Sequence, residues 1–219
     1  MPTATVHSIR GNLSTKRFAF ALAVLLTASL LLTGCGARTA EPARYEKTFF
    51  DAFDTVTTVI VYDTSEKNAQ GVLTRANELL LEYHKLYDIY HAYDGMNNLY
   101  TVNQSAGGAP VTVDARIIDL LKFAKEMDVL TNGGTNVAMG CVTELWRVCR
   151  EAGVEDPAHA ALPAEEELTR AARHTNIEDV LIDESANTVQ LADPEMLLDV
   201  GAIAKGYAVQ QVLDQLKSE

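Results

Sequence analysis

The residues best suited to chemistry lie together in LLDVGAIAKGYAV, positions 197–209. The pattern predicts a strand ending on Asp199, a tight turn at Gly201 and a helix from about Ala202. The first amides of a helix are unpaired donors at its positive end, which suits a phosphate. Lys205 falls about one turn into that helix and can reach the same anion. Ala202 and Gly206 keep the surface flat, so backbone can approach a ligand. The order Gly-x-x-x-Lys-Gly lacks the Lys-Ser/Thr step of a Walker loop. Spacing alone favours the plainer alternative, an ordinary strand–helix corner with a solvated lysine.

A second segment, TNGGTNVAMG (131–140), concentrates Gly and Asn between two helical stretches. Such a loop can offer backbone groups to a planar ligand or a ribose, or simply connect two helices. His84, Asp88 and His91 suggest a metal site, since a continuous helix would hold them within a wedge of about 60°. That wedge points about 130° away from the apolar stripe, toward solvent, and no fourth ligand is evident, so the triad reads as a solvated face. His159 and His174 sit in polar, alanine-rich sequence and read as surface residues. The run Glu165–Glu167 opens a helix, where negative charge is favourable, and carries no chemistry. No nucleophile–His–acid order emerges.

Several elements must position these groups. Thr48–Tyr62 is rich in Thr, Val and Phe and predicts a strand or a bent pair of strands. Ser65 can cap a long helix from Glu66 to His91, with Val72, Ala76, Leu79, Tyr83, Leu86 and Tyr90 on its buried stripe. A short helix ends near Gln104, a turn falls at Gly107-Gly108, and Val111–Val113 is a short strand. Asp114 looks like the N-cap of a helix to Leu130, buried through Ile117, Leu120, Leu121, Ala124 and Met127. Helices follow over Gly140–Ala152 and Glu165–Arg173. Val180–Asp183, Val189–Ala192 and Met196–Val200 predict three short strands. The last helix buries Tyr207, Val212, Leu213 and Leu216. Long helices among short strands make the class α+β rather than a regular βαβ wheel.

The chain has 219 residues, 47% of them hydrophobic and 22% charged, an ordinary globular composition. Three of its 18 basic residues, Arg10, Lys16 and Arg17, lie in the first 34 positions, which hold no acid. The remainder sets 15 basic against 30 acidic residues, a balance of −15. This argues against nucleic-acid binding, where neutralised phosphates supply most of the affinity, but leaves room for a small anion in a local site. Phe18–Leu32 is apolar apart from Thr27 and Ser29. As a helix it would span ~22 Å, short of the ~30 Å hydrocarbon core, and reads as the h-region of a secretory signal. Leu32-Thr33-Gly34-Cys35 resembles a bacterial lipobox. Cys35 is then the lipidated residue, anchoring the protein to the extracytoplasmic face of the cell membrane. The expected organisation is a lipoprotein signal peptide over 1–34, a lipidated Cys and tether over 35–47, and a domain over 48–219. Cys141 and Cys149, ~12 Å apart on one helix, are too distant to pair and read as small core residues.

Four segments together resemble the ApbE family, the FAD:protein FMN transferases. DVGAIAKGYAV (199–209) is similar to the family's Asp-Leu-Gly/Ser-Ala-Ile-Ala-Lys-Gly-Tyr-Ala-Val-Asp signature. TNVAMGCVTELW (135–146) resembles its Gly-Pro-Leu-x-x-Leu-Trp stretch. AFDTVTTV (52–59) resembles its Met-Gly-Thr strand, and YDGMNNLYTVNQSAGG (93–108) its Tyr-x-x-x-Ser-x-x-x-x-x-Asn stretch. The matches run in family order over about residues 49–216.

The resemblance implies an α+β, T-fold-like mixed sheet with flanking helices. It implies transfer of FMN from FAD to a Ser or Thr hydroxyl of a flavoprotein acceptor, with Mg²⁺ as cofactor and AMP as leaving product. Phe53 stands where the family has a flavin-contacting Met, and Tyr93 matches an FAD-contacting Tyr. Thr131, Asn132 and Gly133 match a short FAD-binding loop, Asp199 and Lys205 match FAD contacts, and the Ala202 carbonyl matches one Mg²⁺ ligand. Asn136, Ala138, Met139 and Gln210 depart from the family pattern. Family members continue past this helix with a Gly-Gly segment, an Asp and a Thr that complete the metal site, and a His often assigned to catalysis. The expectation is therefore a fold incomplete at its C-terminus, a fragment or shortened member with weak Mg²⁺ binding and poor activity. An FAD pyrophosphatase, a non-catalytic flavin-binding lipoprotein and a solute-binding lipoprotein are the competing readings.

Overall fold

The computed structural model describes residues 41–219 together with Phe20 and Leu22. The rest of the stretch read as a signal peptide, the lipobox-like sequence and Cys35 lie outside the described residues. The chain divides into two compact units, Met1–Glu41 and Pro42–Glu219. The elements below all belong to the second.

Strand β1 (Ala43–Ala52) pairs antiparallel with β2 (Thr55–Asp63), in register from Ala43↔Asp63 to Ala52↔Thr55. β1 therefore starts inside the stretch read as tether. The register shifts between Phe49 and Ala52, a bulge that sharpens the local twist. Phe53 and Asp54 close the hairpin with φ of 57° and 48°, the two positive values of a type I′ turn. The turn has no Gly or Asn at these positions, which is why the sequence left one strand or two open. An isolated two-stranded sheet is marginal in water. This one is held on one face by α1 (Glu66–Tyr87), which also packs against the last helix, α6 (Ala204–Ser218).

α1 is capped by Ser65, whose hydroxyl accepts from Asn68 N, and it buries Leu73, Ala76, Leu79, Leu80, Tyr83, Leu86 and Tyr87. It stops at Tyr87, not at His91. α2 (Leu99–Gln104) opens with a reciprocal capping box between Asn98 and Thr101. α3 (Ala115–Leu130) begins after the expected Asp114 cap and buries Ile117, Ile118, Leu120, Leu121 and Ala124. α4 (Gly140–Glu155) and the short α5 (Glu165–Ala171) follow. β3 (Val111–Thr112), β4 (Val180–Asp183) and β5 (Thr188–Leu191) form a second antiparallel sheet, in the order β3-β5-β4.

The class is α+β, with the strands divided between these two small sheets. Met196–Val200 is not a sheet strand. It is an extended segment tied to the chain before α4 by one parallel bridge, Met139↔Leu197. The last helix begins at Ala204, because Gly201–Ile203 form a turn. On it Leu213 is exposed, while Ala204, Ala208 and Val212 face the core. Cys141 and Cys149 share α4 as free thiols, half-buried rather than in the core. No helix among the described residues is long and apolar enough to cross a membrane.

Candidate ligand-binding groove

Asp199 is the point where the groove is built. Its segment is held from three directions. The buried Asn103 side chain donates to Leu198 O at 3.0 Å and accepts from Leu198 N at 2.7 Å, standing in for a neighbouring strand. Gly140 N donates to Leu197 O at 2.9 Å, and Asp199 N donates to Val137 O at 2.8 Å. The Asp199 carboxylate then accepts from the Thr143 hydroxyl at 2.7 Å and from Gly201 N at 2.9 Å. Backbone satisfied this fully has little freedom to move.

Three adjoining cavities meet at this carboxylate. One of about 200 Å³ is lined by Phe53, His84, Asp88, Asp199, Gly201 and Lys205, among others. A second, of about 400 Å³, runs past Tyr90, Tyr100, Thr143 and Arg147. A third, of about 220 Å³, reaches Gly134, Asn136 and Ala202. Phe53, Asp199 and Lys205 thus share one cavity, although Phe53 is far from the other two in sequence. Ala202 is in the third cavity. Thr131, Asn132 and Gly133 line none of the three. The Thr131 hydroxyl is spent locally, donating to Met127 O at 2.6 Å and accepting from Thr135 N at 2.9 Å. Asn132 and Gly133 adopt positive φ in the turn after α3.

The helix start offers fewer donors than its spacing suggests. Gly201 N is committed to Asp199, and Ile203 N and Ala204 N both donate to Val200 O. Of these turn amides, only Ala202 N has no partner among the described residues. Lys205 is exposed and pairs with no carboxylate among them. The positive end available to an anion is therefore the Ala202 amide, the Lys205 and Gly206 amides of the first helical turn, which also lack a partner among the described residues, and the Lys205 ammonium.

The triad read as a solvated face is largely part of this groove. Because α1 ends at Tyr87, helical angles no longer apply to Asp88, which is extended at φ −67°, ψ 124°. The Asp88 side chain is 3% exposed, whereas that of His91 is 75% exposed. One Asp88 oxygen accepts from Tyr90 N and His91 N, and the other from the Tyr93 hydroxyl at 2.8 Å and the His91 ring. Tyr93 thus sits just behind the cavity wall. His174 also departs from expectation, since it is half-buried against Asp193 at 2.8 Å, while His159 is exposed. Tyr90, expected inside, is half exposed and lies over Arg147, 5.7 Å from guanidinium to ring centre.

Burial alone would push the Asp88 carboxyl up. The hydrogen bonds from Tyr90, Tyr93 and His91 outweigh it and hold the group below the usual carboxylate range. Burial, then the bond to Asp88, pushes Tyr93 up to about 12. A depressed carboxylate contributes stability that is present above its unfolded value, ~3.9, and lost as pH falls through the lower folded value. Asp88→Asn should therefore destabilise the protein at pH 7, with the difference from the unaltered chain shrinking as pH falls below the unfolded carboxylate value. Urea unfolding across a falling pH series measures this, and a gap that stays constant as pH falls would contradict it.

The described residues thus form an α+β domain with a groove between a strained hairpin turn and a helix start that carries a lysine unpaired among them. The family model described as the ApbE family matches residues 53–219. The chain belongs to the ApbE family. It is 31% identical over 150 residues to the FAD:protein FMN transferase of Klebsiella pneumoniae, covering 68% of this chain and 44% of that protein. Against the Vibrio cholerae protein of the same name, identity is 27% over 197 residues, covering 90% and 55%. The solved flavin transferase ApbE from Vibrio cholerae superposes with a TM-score of 0.66 at 23% identity, over 81% of this chain and 54% of that one. The chain spans about half the length of these relatives.

Sequence reasoning missed His84, Asp88, Asn103 and Thr143 as parts of the site. A helical repeat running on through Tyr90 hid Asp88, and His84 faces the groove only because the hairpin turn at Phe53 packs against it. Asn103 and Thr143 act only through the fold, on a segment far away in sequence.

Proposed function

We propose that the groove binds FAD, with the isoalloxazine end toward Phe53 and Tyr93 and the diphosphate at Lys205 and Ala202 N. The observation that carries this reading is one cavity shared by Phe53, Asp199 and Lys205 in a chain of the ApbE family. The reaction proposed is transfer of FMN from FAD to a Ser or Thr hydroxyl of an acceptor flavoprotein, releasing AMP. Charge then builds on the pyrophosphate oxygens, and such reactions rest on positioning and charge stabilisation. The Lys205 ammonium is suited to both tasks, and the fixed Asp199 segment sets where the helix start points. The proposed location is the extracytoplasmic membrane face, through a lipid on Cys35.

The resemblance also implies Mg²⁺. Among the described residues no cluster of three or more His, Cys, Asp and Glu side chains could hold a metal ion. Asp199 already accepts two hydrogen bonds and Asp88 four. Ala202 offers a carbonyl only. The residues described here do not by themselves fit a magnesium site, and no step is assigned to one.

Flavin fluorescence during FAD titration tests binding, and mass spectrometry of an acceptor with Mg²⁺ added tests transfer. One FAD bound per chain, with slow AMP release and a gain of one FMN on the acceptor, is the expected result. AMP release without acceptor would mark a pyrophosphatase, and bound FAD left intact a non-catalytic flavin binder. Capture of a soluble nutrient in place of FAD would overturn the reading.

A further inference from the structure

Between the two aromatic residues of the proposed flavin end stands one ring that the reaction does not use. His84 Nδ1 accepts from Phe53 N at 3.2 Å, and His84 Nε2 faces the Tyr93 hydroxyl oxygen at 3.5 Å. The Phe53 ring meets the imidazole edge-on, 5.6 Å between centres. We propose that His84 is a positioning residue, locking the hairpin turn that carries Phe53 to Tyr93 behind the cavity wall, so that the wall at the flavin end is one unit.

The hydrogen-bond directions fix the tautomer. A backbone amide can only donate, so Nδ1 carries no proton and the neutral ring keeps its proton on Nε2. Tyr93 gives its own proton to Asp88 Oδ2 at 2.8 Å, which leaves its oxygen lone pairs to face Nε2–H. Donation then runs one way, from Phe53 N to His84, from His84 to Tyr93 and from Tyr93 to Asp88. The opposite tautomer would set two N–H groups against each other at Phe53.

The turn needs such a partner. Phe53 holds φ at 57°, a region costly for a bulky side chain, and strain of this kind persists where the surroundings over-determine it. His84 supplies the acceptor from α1, 31 residues along the chain, and ties the same ring to the loop after that helix. Both aromatic groups are thereby referred to one rigid helix, as a pre-organised binding face requires.

This inference rests on the FAD reading, and its test separates the two. FAD and ADP, which lacks the flavin, are titrated against the unaltered chain, His84→Ala and His84→Asn. An Asn amide oxygen can stand near the place of Nδ1 and restore the acceptor for Phe53 N. His84→Ala should weaken FAD by about tenfold while ADP changes by less than about twofold, and His84→Asn should recover most of the loss. Equal losses for FAD and ADP, or unchanged FAD, would overturn the role of His84 while leaving FAD binding in place. Failure of the unaltered chain to bind FAD would overturn the parent reading and this role with it. Nitrogen-15 NMR of the imidazoles in the unaltered chain gives an answer independent of variant folding. A proton on Nε2 of His84 is expected, and one on Nδ1 would refute the link.

Discussion

Gly140→Ala should lower stability by about 3 kcal/mol and weaken FAD binding in the same variant. A Cβ at this position would lie 2.4 Å from Leu197 O and 2.7 Å from Leu197 C. Both are backbone atoms, so no side chain can swing aside to make room. Relief requires pulling α4 away from the Leu197–Asp199 segment, which breaks the bond from Gly140 N to Leu197 O. The Thr143 hydroxyl sits one turn along α4 and would withdraw from Asp199 with it. Melting should fall by about 6–12 °C, measured against Gly71→Ala as a control. Gly71 also lies in a helix, but a Cβ there meets nothing within 4 Å, so that change should be neutral or stabilising. Equal melting of the two variants would show that the close approach at Gly140 has no energetic weight.

How much of this was legible in the sequence varied with how local the cause was. Ser65 and Asp114 cap the helices they were expected to cap, because a cap is decided within three residues. The buried stripe of α3 followed from apolar spacing in the same way as far as Ala124, while Met127, expected inside, is half-buried. The end of α1 did not. Tyr90 continues the helical repeat, yet the chain leaves the helix at Asp88, whose carboxylate collects donors from Tyr90, His91 and Tyr93. That alternative depends on a loop folding back, which periodicity does not register. Asn103 is a similar case. Its amide replaces a strand partner for Leu198, 95 residues away, and only the assembled fold brings the two together.

The place of Lys205 beside Asp199 was legible, but the helix start was expected two residues early: Lys205 is the second residue of α6, not one turn into it. Spacing offers several donors at a helix start, whereas the turn before α6 uses most of them internally. The ammonium is then left to hold a diphosphate with the amides that remain, those of Ala202, Lys205 and Gly206. A charge-assisted contact of this kind is worth about 2 kcal/mol, or about thirtyfold in affinity. Lys205 lies on the exposed side of α6, so removing its head should leave stability within about 0.5 kcal/mol. The effect should shrink as salt rises, since the site is open to solvent.

FAD affinity of Lys205→Ala, measured beside the unaltered chain at low and high salt, tests the central claim most directly. The account predicts a loss of about thirtyfold at low salt, with melting unchanged. FAD bound equally well by both proteins at low salt would mean that the diphosphate is held elsewhere, and the assignment of this groove would fall.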